Sequence, residues 1–107
     1  MQTYAISFGV IVTKSLGESG ATDQTRRWKK LVGAAFSLGA AWHGGQKAIF
    51  LRSALKIDEV MSRLLAHREW PDDLILVVQV APDLAVRHSG LRFDEDGFEA
   101  IFSDATR

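Results

Sequence analysis

A chain of 107 residues can bury one hydrophobic core but not two, so it forms a single domain. Its thirteen basic and thirteen acidic residues cancel, which excludes a global pull toward nucleic acid or an anionic membrane and leaves only local patches for such partners. The absence of cysteine excludes disulfides and thiolate zinc sites, and it suits a reducing, cytoplasmic setting.

The first element is a strand over Thr3–Val12. Period-two alternation puts Tyr4, Ile6, Phe8 and Val10 on one face and the smaller Ala5, Ser7 and Gly9, with Ile11, on the other. This apolar run has no basic residue ahead of it and no small-residue cleavage pattern, and it is too short to span a bilayer, so it reads as neither a leader nor an anchor. Lys14–Thr22, broken by Ser15, Gly17, Ser19 and Gly20, is a loop. Thr22 or Asp23 then caps a helix in which Trp28, Leu31, Val32, Ala35 and Phe36 recur at helical spacing, ending near Leu38-Gly39.

Ala40–Leu51 reads as a β-hairpin turning on Gly44-Gly45, because two glycines supply the positive φ angles of a tight primed turn. Ile57, Val60, Met61, Leu64 and Leu65 mark a second helix. Asp58 and Glu59 lie in its first turn and His67 and Arg68 in its last, matching the helix dipole. Trp70-Pro71-Asp72-Asp73 is a stop, and Leu74–Val80 is a strand apolar on both faces. After Pro82, Leu84-Ala85-Val86 reads as a short strand or exchanged arm. Asp94–Gly97 reads as a turn or helix start, and Phe98, Ile101 and Phe102 have the spacing of a closing helix.

The order strand–helix–hairpin–helix–strand is the split βαβ plan, a ferredoxin-like α+β domain of type βαββαβ. It predicts a four-stranded antiparallel sheet with two helices on one face, formed by residues 1–82, and a C-terminal extension over 83–107. Two helices cover one face of such a sheet, yet the last strand is apolar on both. The second face therefore calls for a homodimer partner, or for the C-terminal segment folding back over part of it. Ala5, Ser7, Gly9, Ile11, Ile75 and Val77 are the candidate dimer contacts.

Arg26, Arg27, Lys29 and Lys30 cluster near a helix start and are the candidate phosphate contacts for DNA or RNA, with Lys47 and Arg52 on the hairpin extending them. A solvated helix face accounts for the same cluster and is the reading favoured by the neutral net charge. His43, His67 and His88 lack metal-ligand spacing. Asp94-Glu95-Asp96-Gly97 with Glu99 lacks the ligand pattern of a calcium loop. Ser7 and Ser53 have no histidine placed beside them by the sequence. Gly17-Glu18-Ser19-Gly20 is an incomplete phosphate loop, and Asp72-Asp73 reads as turn chemistry. The sequence thus names no catalytic residue, metal site or cofactor.

Several strings resemble the small Cas-two-like group, the CRISPR-associated adaptation subunit and its short bacterial relatives of the SinR family. Thr3–Phe8 looks like their first strand. Trp42-His43, with Ser53-Ala54-Leu55 further on, looks like their aromatic-histidine hairpin and the start of helix two, and Asp72–Val77 looks like their last core strand. The similarity spans residues 3–91. It implies a ferredoxin-like domain dimerised through its sheets. In the nuclease members of the group, an aspartate after the aromatic at the end of strand one pairs across the dimer to hold a divalent metal. The matching residue here is Gly9, after Phe8, which offers no ligand. The expectation is a homodimeric, non-catalytic Cas-two-like module acting through nucleic acid or a protein partner, with no membrane contact. The alternatives are a metal-dependent ribonuclease of the toxin–antitoxin kind and a small-ligand regulatory domain with a pocket at the dimer interface.

Overall fold

In the computed structural model, residues 1–11, 20–43, 48–81, 86–87, 89 and 94–102 are described. The chain is a mixed α+β domain with strands β1 (Gln2–Gly9), β2 (Ala40–Trp42), β3 (Ile49–Ser53) and β4 (Leu74–Val80), and helices α1 (Gly20–Phe36), α2 (Ile57–Leu65) and α3 (Glu95–Phe102). The strands form one sheet in the order β2-β3-β1-β4, every neighbouring pair antiparallel.

Alternation along each strand decides what faces the helices. Tyr4 and Ile6 of β1, Ile49 and Leu51 of β3 and Ile75 of β4 pack with Leu31, Ala34 and Ala35 of α1 and Val60 and Leu64 of α2 in the main core. The Tyr4 hydroxyl, which cannot go unpaired at this depth, donates to the Leu55 carbonyl at 2.6 Å and ties β1 to the β3–α2 connection.

The other face carries a second, smaller core. Trp42 and Phe50 point away from α1 and α2 and meet Phe98, Ile101 and Phe102 of α3, with Phe98 edge-on to Trp42 at 5.1 Å and Phe102 edge-on to Phe50 at 5.1 Å. Asp94 opens α3. Its φ of 55° is one that aspartate tolerates, and its side chain accepts the Gly97 N–H at 3.2 Å as an N-cap does. The C-terminal helix predicted from the Phe98–Ile101–Phe102 spacing forms and covers the β2–β3 half of the second face. Leu84 and Ala85 of the predicted arm lie outside the described residues, while Val86 packs against this second cluster.

Several element boundaries differ from the sequence reading. β1 ends at Gly9 rather than Val12, because its partner β4 begins at Leu74 and the next residues bond to side chains instead. α1 starts at Gly20, ahead of the expected cap at Thr22 or Asp23, so Asp23 sits within the helix. α2 ends at Leu65, leaving His67 and Arg68 beyond it and Arg63 as the basic residue of its last turn. In the hairpin, Trp42 pairs with Phe50. A ladder running unbroken into a two-residue Gly44-Gly45 turn would set Trp42 opposite Lys47, so the register does not fit that turn. Residues 44–47 themselves lie outside the described set.

Candidate functional site

The first locus is the end of the sheet where β1 leaves the ladder. Asp23, Arg27, Leu31, Ala34 and Ala35 share one stripe of α1 and are all buried, so the stripe that packs on the sheet is charged in its first half and apolar in its second. Arg27 lies 1% exposed. It donates through Nε to Asp23 at 2.9 Å and through Nη1 to Asp73, while Nη2 donates to the Ile11 carbonyl. Its guanidinium carbon stands 5.7 Å from the centre of the Trp70 ring. Asp73 uses its other oxygen to accept the Ile11 N–H at 3.1 Å, and the Gln24 side chain donates to the Val10 carbonyl at 2.6 Å. The clasp thereby satisfies the backbone that β1 exposes when it ends. Burial alone would lower the Arg27 pKa, but the hydrogen bonds it donates to Asp73 and Asp23, together with their negative charges, outweigh it and raise the value.

Arg26, on the outer side of the same turn, holds Glu69 in a two-pronged bond of 2.8 and 3.1 Å and also reaches Asp23 at 2.8 Å. Lys30 approaches Glu69 at 3.7 Å. Three of the four helix cations named for phosphate contact are therefore matched by Asp23, Asp73 and Glu69. Arg27 cannot reach a ligand at all, and the cluster lies in the second and third turns of α1, not at its N-terminus. Lys29 is exposed, Arg52 lies on β3, and Lys47 is outside the described residues.

The second locus is the half of the second sheet face that α3 leaves open. Register settles its membership: Thr3, Ala5, Ser7 and Gly9 of β1 lie opposite Val80, Val78, Leu76 and Leu74 of β4. Leu74, Leu76 and Val78 are 56, 48 and 49% exposed, a row of large apolar side chains on alternate residues of one strand. Ala5, Ser7 and Gly9 form a low trough beside that row, and no residue of the eight is charged. Of the contacts expected from sequence, Ala5, Ser7 and Gly9 lie on this face. Ile75 and Val77 do not: they pair with Phe8 and Ile6 and pack in the main core. Ile11 lies beyond the end of β1, its backbone held by Asp73 and Arg27. Leu74, Leu76 and Val78 take the places given to Ile75 and Val77. A strand apolar on both faces does not declare its parity, and only its pairing with Gly9, Ser7 and Ala5 does.

The Gly9 position bears on metal chemistry. A Cβ there would stand 3.1 Å from the Leu74 Cβ, so a carboxylate-bearing side chain would crowd its cross-strand neighbour. The carboxylates near this end of the sheet, Asp23 and Asp73, have their oxygens directed to Arg26, Arg27 and Ile11, and a guanidinium stands where a cation would be needed. These residues do not fit a divalent metal. Among the described residues no group of three or more His, Asp or Glu side chains could hold one.

Among the described residues no helix is long and apolar enough to cross a membrane. No model of a known protein family matches the chain, and neither does any curated protein.

Proposed function

We propose that this chain is a non-catalytic, ferredoxin-like binding module that works as a homodimer through the β1–β4 half of its sheet. The strand order β2-β3-β1-β4, with α1 joining β1 to β2 and α2 joining β3 to β4, supports the ferredoxin-like reading. The observation that carries the function is the row Leu74, Leu76 and Val78, half exposed and uncharged, beside the Ala5–Ser7–Gly9 trough. A partner selected by charge finds nothing to grip there. A second copy turned by a two-fold axis does, because the row of each protomer meets the trough of the other and both are satisfied at once. Continued resemblance to the Cas-two-like group, dimerised through its sheets, belongs to the same proposal.

Protein contact is favoured over nucleic acid because Arg26, Arg27 and Lys30 are already occupied by carboxylates. Light scattering on the purified chain tests the proposal. The parent is expected to run as a dimer and Leu76→Asp as a folded monomer. A parent that stays monomeric at high micromolar concentration overturns it. Salt-sensitive RNA or DNA binding that is lost in Arg26→Glu would return the function to the basic helix.

A further inference from the structure

On the sheet face turned away from α1 and α2, cross-strand pairing lines up Trp42, Phe50, Ala5 and Val78 in one row across β2, β3, β1 and β4. α3 sits on the Trp42–Phe50 half of that row and leaves the Ala5–Val78 half open. A helix laid on a sheet fills a layer about 10–12 Å thick, and a second sheet packed on the first stands about 10 Å above it. A partner sheet resting on the open half therefore lies level with α3 and must stop where α3 begins.

For two aligned sheets, a two-fold axis between them runs either across the strands or along them. An axis across the strands lays β4 on the partner's β4. The Leu74–Leu76–Val78 rows then meet ridge on ridge, and the partner's β2–β3 half runs into α3. An axis along the strands, set between β1 and β4, lays β4 on the partner's β1. Each Leu76 then rests over the partner's Ser7, the residue it pairs with in its own ladder, and the partner's β2–β3 half swings clear of α3.

The second arrangement also brings the partner's β4 edge against the side of α3. Phe102 reaches Phe50 of β3 at 5.1 Å, while Phe98 meets Trp42 of β2 at 5.1 Å, so the Phe102 side of α3 is the one turned toward β1. Glu95 and Glu99 share that side at helical spacing, and both are exposed. β4 has no charged residue, so this acidic flank meets no like charge on the strand it would face. The added contact matters. Seven paired positions on two strands give a strip of only roughly 200–300 Å², against about 800 Å² per partner in a standard interface.

Resting on the homodimer reading, we propose that α3 orients the dimer: it holds the two-fold axis along the strands, and its Glu95–Glu99 flank seats the β4 edge of the second copy. The chain has no cysteine, so single-cysteine variants report position directly. Glu99→Cys and Gln79→Cys, both at exposed positions, are co-expressed and treated with a short bismaleimide, with light scattering of the parent alongside. A cross-linked dimer is expected from the pair. None is expected from Glu99→Cys alone, because the two α3 helices lie on opposite sides of the dimer. A dimer with no cross-link between the two variants overturns the seat on α3. A dimer in which Gln79→Cys alone cross-links sets the two β4 edges together and overturns the axis. Both results leave the homodimer reading standing, whereas a monomeric parent overturns that reading and this one with it.

Discussion

Arg27 shares its helix stripe with Leu31 and Ala35, so packing α1 on the sheet takes its guanidinium out of water, and the fold must supply carboxylates to meet it. Part of this is legible in the chain, since Asp23 and Arg27 have the i,i+4 spacing of an ion pair and Arg27 stands one turn before a core leucine. The other part is not, because Asp73 lies 46 residues further along the chain and reads locally as turn chemistry. Arg27→Met is expected to leave the buried Asp73 without its ion pair and Asp23 with one partner fewer, and to lower stability by about 3–5 kcal/mol, read from urea denaturation. A loss no larger than that of an exposed substitution such as Lys29→Met would show that the clasp is dispensable.

The surrounding carboxylates set a pH dependence. The Arg26 hydrogen bond holds the Asp23 carboxyl below its ordinary range, with Arg27 adding to the effect and burial opposing it; Arg26 likewise lowers Glu69 against a smaller effect of burial. Between the folded and unfolded values the unfolded chain binds more protons, so stability rises with pH there. Their contribution is fully present above the unfolded values of 3.8 and 4.5 and is lost as pH falls through the lower folded ones. Urea midpoints across the acid range should fall less steeply for Arg26→Gln than for the parent, and identical acid limbs would refute the assignment. Tyr4 acts at the opposite end. Burial, aided by the Glu59 charge, raises its pKa above 10.0, so the unfolded chain ionises first and stability should decline as pH rises past that value.

At the scale of elements, α3 shows how far a local pattern reaches. Asp94, Phe98, Ile101 and Phe102 announce a short helix with a capping residue, and that helix forms. Which surface it covers depends on Trp42 and Phe50 facing away from α1 and α2, a matter of strand parity that neither segment states alone. β4 is the plainer case: its limits at Leu74 and Val80 are read directly from the apolar run, but the run hides which alternate residues are buried. The expected hairpin pairing forms between β2 and β3, but its register does not fit the two-residue turn, since a Gly-Gly pair marks a place where a chain can turn without fixing the register of the flanking strands. Asp94→Ala should cost about 1 kcal/mol through loss of the cap. Because α3 seals Trp42, the loss should appear as a red shift of tryptophan emission at lower denaturant than in the parent. Unchanged emission and midpoint would place the start of α3 outside the stability of the fold.

At the scale of the molecule, the two faces of the sheet are closed by different means. α1 and α2 pack over one face, α3 covers the β2–β3 half of the other, and Leu74, Leu76 and Val78 remain exposed in the isolated chain. If a second copy covers them, dimerisation and folding share one equilibrium, and stability must depend on protein concentration. The Tm of the parent is therefore expected to climb steadily over a hundredfold rise in concentration. In Leu76→Asp, which sets a charge in the middle of the apolar row, the Tm should no longer depend on concentration. The same substitution at Val77 would place a charge in the main core, so Val77→Asp should lower the Tm at every concentration, with no selective effect on the concentration dependence. The pair separates a surface that binds from a strand that merely needs apolar residues. Equal behaviour of the two variants would mean that the β4 row contributes to the fold and not to association.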